Sequence, residues 1–219
     1  MAACFTPRLD ILPLSQRRLW DELSAVRREF VLYRGTAIAL HLGHRQSVDF
    51  DFFSDRDLDS TRLVRSVPFL SGATVTQREP NVFGCDVDRG GAVRVSFFGL
   101  PWLVHLLPPL IAPDNGLQVA SLLDLAGMKA SVVQQRAEAK DYIDIDAVIT
   151  DGGVGLPMAL AAAKAIHGAE FNPQSTLKAL SYFDDGNLRR LSRSVKDRLA
   201  KAAREVDLDL LPLIEMPSR

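Results

Sequence analysis

The sequence predicts an α+β protein, with a mixed β-sheet and flanking helices in its N-terminal half and an all-helical C-terminal half. Three observations predict it. Residues 73–79, 82–88 and 92–98 alternate apolar and polar side chains, the period of a half-buried strand. From Ser121 onward nearly every segment repeats with helical period instead. Between the two regimes lie proline-rich 108–113 and Asp114-Asn115-Gly116, which read as a linker. Residues 1–113 are therefore expected to form an α/β domain and 114–219 a helical domain.

In chain order, 15–28 reads as an amphipathic helix with Leu19, Leu23 and Val26 as its stripe and Ser15 as N-cap. Residues 29–33 read as a short buried strand. A short helix over 35–43 ends at Gly43. A strand covers 48–53, and Asp59 or Ser60 caps a helix over 60–67. Arg89-Gly90-Gly91 marks a tight turn between two of the alternating strands. A further strand is expected at 102–107. Helices are expected at 121–135, 138–149, 155–167, 174–182 and 188–204. Trp20, Trp102, Phe171, Tyr182 and Phe183 are assigned to the core.

A chain of 219 residues suffices for one large domain or two small ones. Hydrophobic content of 47% and charged content of 24% are those of a soluble globular protein. The net charge of -1 gives no global basic field for nucleic acid. Cys4 and Cys85 make neither a disulfide framework nor a zinc pattern, so a reducing cytoplasm is expected. The opening MAACFTPRLD lacks the apolar run of a signal peptide. No stretch approaches the roughly 18 apolar residues of a membrane span. The fullest run, 100–111, is broken by Pro101, Pro108 and Pro109.

Chemistry concentrates in RGTAIALHLGHRQSVDFDFF, residues 34–53. Asp49 and Asp51 share one face of a strand, about 7 Å apart. Val48, Phe50 and Phe52 are assigned to the opposite, buried face. Two carboxylates so close repel unless a cation lies between them, and magnesium suits such oxygen donors. Gly35 opens a helix whose free N–H groups attract phosphate, and Thr36 adds a hydroxyl there. Arg34 is either a surface arginine or a phosphate contact. His44, Arg45 and Ser47 are either ordinary loop polarity or nucleotide contacts. His41 and His44 lack the further ligands that zinc needs.

Lys129, Arg136, Lys140 and Asp144 align on one face if a helix runs through them; a break near 137–138 is the alternative. Asp55, Asp57 and Asp59 mimic a calcium loop, but Ser60 and Ser66 stand where its glycine and glutamate belong, so helix capping is expected. Asp86 and Asp88 form a second D-x-D, read as polar edge residues beside a turn.

Taken together, Gly35-Thr36, HRQSVDFDFFS, GAVRVSFF, MKASVVQQR, KDYIDI and LKALSYFDD resemble the AbiEii/AbiGii nucleotidyltransferase-like toxin family, within the DNA polymerase β-like superfamily. The likeness spans about residues 30–185. It implies a nucleotidyltransferase-like N-terminal domain that moves an NMP from an NTP to a hydroxyl on an RNA end, such as tRNA, or on a protein. Asp49 and Asp51 would hold Mg2+ or Mn2+. Lys129 would face the cleft and bind triphosphate, with Lys140 and Asp141 near nucleotide or acceptor. It implies too a toxin of a toxin–antitoxin or phage-defence pair, with a cognate antitoxin. Two departures stand out. Arg34-Gly35-Thr36 replaces the usual Gly-Gly or Gly-Ser, and Ser96 takes the place of the third carboxylate. The second leaves a catalytically weak nucleotide- or antitoxin-binding module as the rival reading. A transferase acting on a small molecule, of aminoglycoside-modifying type, is a third.

Overall fold

A computed structural model of the chain describes residues 5–215 and resolves into two compact units. The first holds the chain up to Val104 together with Pro108–Ala120; the second holds His105–Leu107 and the chain from Ser121.

The first unit is built on a seven-stranded mixed sheet. Its strands are β1 (Val31–Tyr33), β2 (Asp49–Ser54), β3 (Thr74–Glu79), β4 (Val82–Asp88), β5 (Ala92–Gly99), β6 (Leu110–Ile111) and β7 (Gln118–Val119), in the order β3-β4-β5-β2-β1-β7-β6. Pairs β2–β5 and β1–β7 are parallel; the others are antiparallel. Period-two alternation sorts the central strands into two faces. Phe50, Phe52, Val93, Val95, Phe97, Phe83 and Cys85 are buried on one. Phe52 stacks on Phe97, and Trp20 and Phe30 close over the same face. Each such aromatic contributes roughly 1.5–3 kcal/mol on burial. The Cys85 thiol is pushed up to about 11, first by burial and then by Asp86. Cys4 lies outside the described residues.

Three helices complete this unit: α1 (Leu14–Leu19), α2 (Arg34–Leu42) and α3 (Ser60–Ser66). Gly43, at φ 68, ends α2 in the left-handed conformation that favours glycine. Asp59 caps α3, its carboxylate accepting from the Thr61 and Arg62 N–H groups, so the calcium-loop mimic is indeed a cap. Asp88 accepts from Gly90 and Gly91 N–H at the β4–β5 turn.

Several expectations change. Ser15 lies inside α1; Pro13 stands at the N-cap, where its missing N–H costs nothing. The rest of that helix tightens to a 3-10 turn over Trp20–Ala25, where the Ser24 hydroxyl bonds the Asp21 carbonyl. Residues 102–107 form no strand. Strands form instead in the expected linker, as the β6–β7 hairpin around Gly116 at φ 73. The boundary expected at 113/114 falls within that hairpin.

The second unit is helical: α4 (Leu122–Val132), α5 (Ala139–Thr150), α6 (Leu156–His167), α7 (Pro173–Ala179) and α8 (Arg193–Glu205). Its core gathers Tyr142, Ile145, Leu156, Leu160, Leu180, Leu188 and Leu199. Phe171 is buried in this core and Phe183 packs against the cluster, but Tyr182 is 53% exposed; Trp102, in the first unit, is 49% exposed. Helix α8 begins only at Arg193 because the Ser192 hydroxyl caps it. Gly127 lets α4 and α6 meet closely: a Cβ there would lie 2.9 Å from backbone atoms of Ala162 and Ala163. Buried Asp124 accepts hydrogen bonds from Ser121 Oγ and from the Leu106 (2.7 Å) and Leu107 (3.2 Å) N–H groups. Burial raises its carboxyl pKa in spite of these bonds.

Candidate active site

Strand β1 runs directly into α2, so the turn between them has no spare residues. Arg34 absorbs the change of direction at φ 61, a conformation that costs a non-glycine residue about 1–2 kcal/mol. Its guanidinium lies 4.6 Å over the Phe98 ring and 5.3 Å over Phe53, and Nη1 donates to Asp51 Oδ1 at 3.3 Å. Gly35 follows. The space a side chain would fill there is taken by the Arg45 guanidinium, with Ser47 Oγ beside it. Two cations therefore flank the start of α2, whose N–H groups already favour anions.

Thr36 is buried. Its hydroxyl bonds the Asp49 carbonyl oxygen (2.5 Å) and the Ser47 hydroxyl (2.8 Å). It thus fastens α2 to the start of β2. Asp49 and Asp51 follow on the polar face of that strand. Asp49 is half-buried and Asp51 buried, and Phe50 between them turns into the core. Val48 does not join the buried face; it precedes the strand and is 60% exposed.

Register extends this polar face across the sheet. Asp51 pairs with Ser96 and with Tyr33, and Asp49 pairs with Arg94. Arg94 in turn bonds Asp86 at 3.3 Å. Arg94 is not among the residues expected at the site, although alternation along 92–98 puts it on the same face as Ser96. The donor set fits a hard divalent cation: two carboxylates project from one strand, and oxygen donors are what magnesium takes. Among the described residues no three His, Cys, Asp or Glu side chains gather for a metal. Ser96 contributes a neutral hydroxyl where a third charge is absent.

The second unit carries its own charged cluster. Lys129 on α4 is 5% exposed, and its ammonium lies 2.5 Å from Asp141 Oδ1 and 2.8 Å from Asp144 Oδ2. The Arg136 guanidinium donates to Asp141 at 2.8 Å. Burial pushes the Asp141 carboxyl up, but the Lys129 charge and the bonds from Arg136 and Lys129 outweigh it and hold it below its ordinary value. The ammonium of Lys129, the residue expected to meet triphosphate, lies against two buried carboxylates. The chain breaks between α4 and α5, and that break folds Asp141 and Asp144 back onto Lys129. Lys140 is exposed and pairs with Glu138 at 3.0 Å.

The family model described as "Nucleotidyl transferase AbiEii toxin, Type IV TA system" matches residues 18–212. An uncharacterized protein of Aquifex aeolicus (strain VF5) is 29% identical over 160 residues, 72% of this chain and 75% of that protein. Among solved structures, MenT4, a nucleotidyltransferase toxin from Mycobacterium tuberculosis H37Rv, superposes with a TM-score of 0.61 at 15% identity, covering 90% of this chain and 84% of its own. That likeness is one of fold.

Proposed function

This chain belongs to the AbiEii nucleotidyl transferase toxin family, and from that premise we propose that it moves a nucleoside monophosphate from an NTP to a hydroxyl acceptor. The acceptor oxygen attacks the α-phosphorus, the bond to the bridging oxygen breaks, pyrophosphate leaves, and the hydroxyl proton passes to solvent water. One observation carries the reading: Asp49 and Asp51 stand on one polar face of β2, and Arg34, paired with Asp51, opens the helix α2.

In this reading Asp49 and Asp51 would hold Mg2+ or Mn2+, which would supply positive charge beside the phosphates. Gly35 makes room for the Arg45 guanidinium beside the α2 N–H groups that favour phosphate oxygens. Arg34 and Arg45 supply cationic donors for the β- and γ-phosphates, a geometry guanidinium suits. Thr36 and Ser47 position, through the bonds that tie α2 to β2. Lys129 acts through Asp141 and Asp144, keeping α4 and α5 in register. The acceptor is an RNA end, tRNA included, or a protein hydroxyl. The cell context is cytoplasmic, with a cognate antitoxin; no described helix is long and apolar enough to cross a membrane.

Ser96, in register with Asp51, favours a second reading: a module that binds nucleotide or antitoxin with little turnover. Incubation with each labelled NTP, Mg2+ and bulk tRNA separates the two. Label transfer that vanishes in Asp49→Asn supports the transferase. Saturable NTP binding without transfer to RNA or protein supports the module.

A further inference from the structure

We propose that the Arg34 guanidinium takes the place of a second divalent cation, so that this site works with one bound metal ion; the inference rests on the transferase reading above. Three observations meet at Asp51. Its register partner on β5 is Ser96, a hydroxyl with no charge. Its carboxylate accepts from Arg34. Arg34 sits at a backbone angle natural to glycine and held here by arginine, and its side chain is braced on the Phe53 and Phe98 rings.

Charge decides what such a site can hold. Three carboxylates would offer three negative charges, enough to draw two divalent ions beside a triphosphate. Asp49 and Asp51 offer two, and Arg34 cancels one. One divalent ion matches what remains. The guanidinium is permanently charged and has five N–H donors, of which the Asp51 contact uses one. Its side chain is 48% exposed, so other donors are open to phosphate oxygens. The braced rings limit its motion, so the positive charge is fixed before nucleotide arrives. Ser96, without charge, and Arg34, with one, thus both bear on the same carboxylate, Asp51.

The test counts Mn2+ on the full-length protein by electron paramagnetic resonance, alone and with α,β-methylene analogues of each NTP. Wild type is expected to hold one Mn2+ per chain. The double variant Arg34→Gly/Ser96→Asp is expected to hold two. Arg34→Gly alone should bind its Mn2+ about tenfold more tightly, because a neighbouring positive charge is gone. If the double variant fails to fold, that single variant still decides. Two Mn2+ in wild type, one in a folded double variant, or unchanged affinity in Arg34→Gly overturns the inference and leaves label transfer intact. No Mn2+ binding at all overturns it together with the transferase reading.

Discussion

Asp51 and Ser96 face each other in register across the parallel β2–β5 pair, a carboxylate opposite a hydroxyl. Among the described residues the carboxylate of that register row therefore comes from β2, since Ser96 and Gly84 follow it across the sheet. Replacing Asp49 by Asn should lower label transfer at least about 100-fold. Its effect on stability should stay within roughly 0.5 kcal/mol, as for a half-buried side chain that makes no ion pair among the described residues. Urea unfolding beside the transfer assay checks both; a large stability loss would make Asp49 structural.

Thr36 should matter to folding before it matters to nucleotide. Thr36→Val removes a hydroxyl shared between the Asp49 carbonyl and Ser47. Leaving those buried groups short of a partner costs about 1–3 kcal/mol, whereas Thr36→Ser keeps most of it. Denaturant midpoints of the two variants give the comparison.

Lys129→Ala takes from buried Asp141 and Asp144 the ammonium they share, and leaves the Arg136 guanidinium on Asp141. The expected loss is about 3–5 kcal/mol. Combining Lys129→Met with Asp141→Asn and Asp144→Asn should recover much of it, because no charge is then stranded. A triple variant as unstable as Lys129→Ala would show that the cluster does more than neutralise itself.

The same cluster sets an acid limit. Asp141 titrates below its ordinary value when folded, so it stabilises above about pH 4 and that contribution fades as pH falls through the lowered value. His41 behaves differently. Burial holds its imidazole below the usual range while its ring bonds the Ala120 carbonyl, so stability is full above about pH 6.5 and drops as pH falls below it. Unfolding free energy measured from pH 8 to 3 should show both slopes. Asp141→Asn should flatten the lower one only.

Gly127→Ala should destabilise by about 1–3 kcal/mol although alanine is the better helix former. The added methyl meets backbone of α6, which cannot turn aside as a side chain can. A more stable variant would mean that α4 and α6 separate easily.

Much of this was readable from residue order because the cues were local. Alternation gave β3, β4 and β5; Gly43 and Asp59 marked helix ends; the i, i+2 spacing of Asp49 and Asp51 fixed their shared face. What escaped depends on partners distant in sequence. The two-residue strands β6 and β7 are too short for any periodicity and exist because β1 offers an open edge. Lys129 carries no mark in its own segment of the carboxylates that α5 folds over it. The left-handed turn at Arg34 was hidden by the residue itself, since arginine seldom adopts it. Exposure of Tyr182 and Trp102 was missed because aromatic character alone does not say which side of a segment faces inward.

Asp124 has a consequence for inheritance. By clasping the Leu106 and Leu107 amides, it assigns residues 105–107 to the helical unit, and the chain then returns to the sheet for 108–120 before leaving again. A recombination event with one crossover cannot exchange either unit whole: a junction at 120 strands the clasped tripeptide, and a junction at 104 strips two strands from the sheet. Evolution can shuffle these halves only as a matched set, which keeps the carboxylates of β2 travelling with the helices that follow them.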